Sequence, residues 1–97
     1  MPRVVYSPRA LDHLERSFAF LAEQAPDAAI AAARVIRSAI EMLAHHPLIG
    51  RVIRGHIREL VISYGRTGYL AIYRFVPARN EVRVLAIRHQ RELDYPA

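Results

Sequence analysis

Hydrophobic positions are densest in the last third of the chain, where they form three runs at residues 58–64, 69–75 and 82–91. Each run is rich in β-branched and aromatic residues and is bounded by turn residues, a pattern that predicts three strands. The connections are short, so the strands should pair antiparallel as a meander. Arginine and tyrosine recur between the apolar residues. We therefore expect a sheet with one apolar face and one Arg/Tyr face suited to binding.

Two helices are predicted before these strands. Ser7 followed by Pro8 is a typical helix start, and an apolar stripe at helical spacing continues to about residue 24. Pro26 opens a second, alanine-rich helix, which must end near residue 45 because Pro47 disfavours helix in the residue before it. The short connection between the helices predicts an antiparallel hairpin.

The remaining segments are short. Residues 3–6 have the composition of a brief strand, and residues 52–57 could form either a short strand or an irregular loop. The predicted order is β-α-α-β-β-β in a single domain of residues 1–97. This is an α+β fold in which the N-terminal strand and the αα-hairpin pack on a small, mainly antiparallel sheet.

The charge of the chain narrows the classes of partner. Fourteen basic residues against nine acidic ones give a net charge of +5, and all fourteen are arginine. Arginine binds phosphate and carboxylate through planar, bidentate hydrogen bonds. A nucleic acid or an acidic protein segment would therefore fit as a partner. Codon usage in a GC-rich genome would explain the absence of lysine equally well. It does not explain the net positive charge.

Several site classes are excluded or disfavoured by composition. With no cysteine, the chain cannot form disulfides, a zinc–thiolate site or a thiol nucleophile. His45 and His46 are adjacent, so on a helix they point about 100° apart and do not share a ligand direction. We therefore expect neither a metal nor a cofactor. No apolar run has the length of a membrane span or a signal peptide, so the expected location is the cytoplasm.

An ordered set of short motifs spans nearly the whole chain and resembles the RelE/ParE superfamily of bacterial type II toxins. The opening, Val-Tyr-Ser-Pro at residues 5–8, and the link Pro47-x-x-Gly50-Arg51 are similar to the corresponding family segments. The strand motif Arg-Glu-Leu-Val at residues 58–61 and the ending His-Gln-Arg-Glu at residues 89–92 also match. The long helical hairpin and that ending are closer to the ParE branch.

The resemblance implies the toxin of a toxin–antitoxin pair, neutralised by an acidic antitoxin that orders on binding. DNA would then be contacted only indirectly, through the antitoxin. ParE-type toxins poison DNA gyrase, whereas RelE-type toxins cleave mRNA in the ribosomal A site, and a shared fold does not choose between them. A toxin-like fold that has lost toxicity and only binds its partner is a third possibility.

Under the RelE alternative, cleavage requires an acid–base pair and cations that stabilise the phosphate. A lysine-based site is excluded. The substitute set implied would use arginines as phosphate clamps, His89 or Glu59 as the base, and Tyr95 as a stacking or acidic group. The candidate catalytic residues are therefore Arg58, Arg74, His89, Arg91 and Tyr95, with Glu59 as the alternative base.

Under the ParE alternative, which we favour, there is no catalytic site and the Arg/Tyr surface binds the target protein. The residues expected to contact the target are Arg51, Arg58, Tyr73, Arg74, His89 and Arg91. Independently of the choice between the two branches, an acidic antitoxin segment should add a helix to an apolar groove or a strand to the sheet edge. Its expected charge contacts on the outer faces of the helical hairpin are Arg9, Arg16, Arg34 and Arg37.

Overall fold

The computed structural model describes residues 1–64 and 67–89, and the predicted β-α-α-β-β-β order is confirmed with one added strand. The added strand lies in the segment around residues 52–57, whose conformation the sequence left open. The main elements are β1 (Arg3–Tyr6), α1 (Pro8–Gln24), α2 (Pro26–Glu41), β2 (Arg51–Arg54), β3 (Ile57–Tyr64), β4 (Thr67–Val76) and β5 (Glu81–His89). Short 3₁₀ turns follow α2 at Met42–Ala44 and β4 at Pro77–Arg79.

The two helices begin where the sequence predicts. The Ser7 hydroxyl accepts a hydrogen bond of 3.0 Å from the amide of Ala10, which caps α1, and Pro8 occupies its first turn. Ala25 has a non-helical backbone between the helices, and Pro26 then starts α2. The 3₁₀ turn after α2 ends at Ala44, close to the predicted end near residue 45.

The five strands form one sheet in the order β1-β5-β4-β3-β2. Strands β3, β4 and β5 pair antiparallel, as the predicted meander requires, and β2 pairs antiparallel with β3. Strand β1 pairs parallel with β5, so the first and last strands of the chain are neighbours. A bulge in β5 places Leu85 between the residues that oppose Ile72 and Tyr73 on β4.

The core lies between one sheet face and the helices. The sheet contributes mainly aliphatic residues and two tyrosines, and α2 contributes Ile36 and Ile40, with Leu43 just beyond its end. Helix α1 is much less deeply packed: its only fully buried residue is Ala10, while Phe18 remains 42% exposed. None of the helices in the described part of the chain is long and apolar enough to cross a membrane.

Candidate target and partner surfaces

Strand register sorts the sheet residues onto two faces, because residues directly opposite each other in neighbouring strands share a face. Leu60 and Ile62 of β3 are buried in the core, so the alternate residues Glu59 and Val61 belong to the face opposite the helices. We call that opposite face the open face. The strand register places six arginines on the open face: Arg3, Arg51, Arg54, Arg74, Arg83 and Arg88.

Positive charge is segregated onto the sheet side of the molecule. The two helices carry four arginines and five acidic residues, a net charge of −1. The other described residues carry eight arginines and only two acidic residues, Glu59 and Glu81, a net charge of +6. The chain's positive charge therefore lies on the sheet and its connections, and the helical hairpin has no excess of it.

Both glutamates of the open face are nearly buried beneath arginines. Glu81 accepts a hydrogen bond of 2.7 Å from Arg83 Nε and lies 3.4 Å from Arg3 Nη2. The hydrogen bond from Arg83 lowers the pKa of Glu81, outweighing the opposing effect of desolvation. Glu59 is paired in the same way with Arg51. The Glu59 carboxylate, which the RelE alternative would use as a base, is thus engaged in an ion pair.

Three arginines of the open face have no carboxylate partner among the described residues: Arg54, Arg74 and Arg88. Arg54 and Arg74 lie in one row across the sheet, each opposite Ile57, and the same row continues to Arg83. Arg74 and Arg83 are thus like charges directly opposite each other, an arrangement that destabilises a strand pair. An anionic partner on this row would relieve that repulsion.

Arg58 and Tyr73 hold the link that precedes β2. The Tyr73 hydroxyl donates to the Pro47 carbonyl at 2.9 Å and accepts from the Gly50 amide at 2.8 Å. Arg58 Nη1 donates to the carbonyls of Leu48 and Gly50 at 2.9 and 2.8 Å. We call these four hydrogen bonds the link clamp. Gly50 is required here, because an added Cβ would lie 2.6 Å from the Tyr73 ring.

Tyr73 therefore does not belong to the contact surface on which the sequence placed it. Its side chain has no exposed surface and faces the helices, sharing a register position with Val84 of the core. Burial raises the pKa of its hydroxyl, although the hydrogen bond from Gly50 and the charge of Arg58 oppose this effect. Arg58, predicted as a phosphate or target contact, is half-buried and uses its guanidinium to fix the link.

The predicted catalytic residues do not converge in the described part of the chain. His89 lies on the helix side of the sheet, where its ring meets that of Tyr69 edge to face at 5.1 Å, whereas Arg74 lies on the open face. Arg91 and Tyr95 lie outside the described residues. No group of three or more metal-ligating side chains is found within residues 1–64 and 67–89.

Ser7 and His13 bond to backbone atoms of β5, roles that the sequence did not suggest. Ser7 donates its hydroxyl to the Leu85 carbonyl at 3.1 Å, and His13 Nδ1 accepts from the Ile87 amide at 3.2 Å. Strand β1 pairs with β5 only as far as Val84, so these side chains bond to β5 backbone atoms beyond the end of β1. Leu85 is the bulge residue, and a bulge within an apolar run leaves no mark in the sequence.

The four hairpin arginines predicted to meet an antitoxin are exposed, and two of them have partners within their own helix. Arg16 pairs with Asp12 at 3.1 Å, and Arg37 lies 4.0 Å from Glu41. Arg9 and Arg34 have no carboxylate partner among the described residues and remain open for a partner.

The feature of α1 that the charge pattern did not reveal is its half-exposed apolar stripe. Leu11 and Phe18 are 46% and 42% exposed, and Leu14 and Leu21 continue the stripe toward α2. Leu14, Phe18 and Leu21 line an apolar depression together with Tyr69 and the alanines of α2, whereas Leu11 lies outside it. An amphipathic partner segment would bury it.

The chain is similar to known toxins over almost its full length. Residues 4–94 match the family model for the ParE toxin of the type II toxin–antitoxin system parDE. Toxin RelE3 of Caulobacter vibrioides is 38% identical over 92 residues, which cover 95% of this chain and 98% of that protein.

Solved toxin–antitoxin complexes share the fold. The ParDE system from P. aeruginosa superposes with a TM-score of 0.77 at 19% identity, covering 92% of this chain and 96% of that one. The E. coli RelBE complex superposes with a TM-score of 0.63 at 13% identity, covering 91% and 95%.

Proposed function

The chain belongs to the ParE toxin family of type II toxin–antitoxin systems, and from this premise we propose that it arrests growth by binding and poisoning DNA gyrase. The proposal includes neutralisation by a cognate antitoxin and places the toxin in the cytoplasm with its target. The observation that carries it is the open face, an exposed arginine surface on which residues 1–64 and 67–89 assemble no acid–base site.

The open face is suited to binding rather than to cleavage. Among the described residues, its carboxylates are those of Glu59 and Glu81, and each is nearly buried and paired with an arginine. His89 of β5 lies on the other side of the sheet. General acid–base catalysis needs a proton acceptor within hydrogen-bond reach of the substrate. Exposed guanidinium groups, by contrast, are favoured anchors of protein interfaces.

The antitoxin is proposed to use a different surface, the apolar stripe of α1. The net charge of the helices is −1, so an acidic segment gains little from the hairpin as a whole. Burial of Leu11 and Phe18 would supply most of the favourable free energy there, with Arg9 and Arg34 as local charge contacts. The solved neighbours, which are toxin–antitoxin systems, support a partner of this kind.

The test is a supercoiling and cleavage assay with purified toxin, gyrase, ATP and relaxed plasmid. We expect toxin-dependent loss of supercoiling and accumulation of linear DNA, both reversed when the cognate antitoxin is added first. The matched comparison is the same toxin preparation added to translating ribosomes programmed with mRNA. Unaffected gyrase together with mRNA cleavage at the A site would overturn the proposal in favour of the RelE-type activity.

A further inference from the structure

Four arginines lie together at the corner of the sheet where β4 ends and where β1 and β5 begin. Arg74 of β4 lies directly opposite Arg83 of β5, and Arg3 of β1 lies opposite Glu81, two residues before Arg83. Arg79 ends the 3₁₀ turn that joins β4 to β5. We call these four arginines the basic corner. Together with Glu81 they have a net charge of +3.

Glu81 orients part of the basic corner without using up its hydrogen-bond donors. The nearly buried carboxylate accepts a bond of 2.7 Å from Arg83 Nε and lies 3.4 Å from Arg3 Nη2. A guanidinium has five N–H donors, so these contacts leave most of them for a ligand. Arg74 and Arg79 are exposed and form no ion pair within residues 1–64 and 67–89.

The turn that contains Arg79 is tied to the N-terminal strand through Asn80. Asn80 has a left-handed backbone with a φ of 49°, a conformation that asparagine adopts more readily than most residues. Its carbonyl accepts a bond of 2.9 Å from the Arg3 amide, and its side chain donates to the Met1 carbonyl at 3.2 Å. The corner is therefore assembled before a ligand arrives, which lowers the entropy cost of binding.

The distribution of aromatic side chains indicates which kind of anion fits the corner. In the described part of the sheet they all lie on the helix side, and they are Tyr6, Tyr64, Tyr69, Tyr73 and Phe75. Single-stranded nucleic acids are bound mainly by stacking their bases on aromatic rings, which the open face does not offer here. Contacts to the phosphates of a duplex need only cationic donors.

An acidic protein segment fits the corner less well than a duplex does. Protein interfaces combine arginine with aromatic or large aliphatic anchors. In the register, the apolar neighbour of Arg83 is Val5, which is small and 38% exposed. Val61, the more exposed aliphatic residue of the open face, lies on β3, away from the corner.

We propose that the basic corner binds the phosphate backbone of duplex DNA directly and without reading its sequence. Strands β4, β5 and β1 are adjacent and span about 10 Å, the axial length over which one DNA strand presents about three phosphates. The family resemblance implies that DNA is reached only through the antitoxin, whereas this contact belongs to the toxin itself. The inference goes beyond gyrase binding and does not depend on it.

The test is the fluorescence anisotropy of a labelled duplex of about 20 base pairs, titrated with purified toxin at salt concentrations from about 50 to 200 mM. Each phosphate contact contributes about −0.9 to the slope of log K against log salt, so three contacts predict a slope of about −2.7. Absence of binding by the wild-type toxin at the lowest salt concentration would overturn the inference.

Two double variants locate the contact and leave the ion pairs of Glu81 intact. Arg74→Ser with Arg79→Ser should make the salt slope shallower by about 1.8 and weaken binding at low salt at least about tenfold. Arg9→Ser with Arg34→Ser removes the same charge from the helices and should leave the slope unchanged, with less than about a twofold loss of affinity. Equal effects of the two pairs would contradict the assignment to the corner.

Further arms of the same assay identify the ligand. Arg74→Lys with Arg79→Lys should keep the slope, because lysine also binds phosphate, as a point charge; a loss as large as that of the serine pair would contradict phosphate binding. Single-stranded RNA that binds at least about tenfold more tightly than the duplex would overturn the duplex assignment. Displacement of DNA by polyglutamate at equal charge concentration would instead favour an acidic protein segment. The assay contains no gyrase, so a negative result leaves the proposed function standing.

Discussion

The link clamp yields the sharpest stability prediction, for the removal of a single oxygen atom by Tyr73→Phe. The ring stays in the core, but the Gly50 amide and the Pro47 carbonyl lose their partner at 2.8 and 2.9 Å. An unsatisfied buried polar group costs about 1–3 kcal/mol. Gly50 is buried and Pro47 half-buried, so we expect the free energy of unfolding to fall by about 2–4 kcal/mol.

Urea denaturation at pH 7 measures this loss directly, provided that the denaturant dependence of the free energy of unfolding is unchanged. The matched control is Tyr6→Phe, since Tyr6 is half-buried and its hydroxyl makes no hydrogen bond to the described residues. That variant should differ from wild type by less than about 0.5 kcal/mol. An equally small change for Tyr73→Phe would refute the view that its hydroxyl holds the link.

Three further substitutions test separate parts of the structure. Gly50→Ala forces a Cβ to within 2.6 Å of the Tyr73 ring and should lower the thermal midpoint by about 10 °C or more, as measured by circular dichroism; an unchanged midpoint would contradict the close approach. Ser7→Ala removes both the α1 cap and the bond to Leu85, and should cost about 1–2 kcal/mol in urea denaturation. The pKa of Glu81 is lowered from 4.5 in the folded chain, so its contribution to stability is present above that pH and is lost as pH falls through the folded value. Glu81→Gln should therefore flatten the acid side of the stability profile, and an unchanged profile would contradict the ion-pair assignment.

The sequence was sufficient for the order of the elements, because caps, prolines and hydrophobic periodicity are local signals. Strand β2 could not be decided in the same way. It has only four residues, and all of them are exposed, so the alternation that marks a half-buried strand is absent. Its pairing with β3 follows instead from the tight turn at Gly55, where φ is +55°.

Side-chain direction on the sheet was harder to predict than the strands themselves. Along β4, both faces carry large apolar residues, so alternation alone did not separate Tyr73, which is buried, from Arg74, which is exposed. In β5 the bulge at Leu85 reverses the alternation, and His89 consequently faces the helices with Tyr69. Of the residues expected to contact the target, Arg51 and Arg74 are exposed and stay a prediction, whereas Tyr73 is buried and offers no surface to a partner.

The proposal that the toxin binds gyrase through the exposed arginines of the open face is tested most directly by a comparison of two double variants. Arg54→Ser with Arg74→Ser removes two charges from the open face, whereas Arg9→Ser with Arg34→Ser removes two from the hairpin. The measurement is the toxin concentration that halves gyrase supercoiling. We predict an increase of at least about tenfold for the first pair and less than about twofold for the second. Equal increases, or none for the open-face pair, would contradict the account.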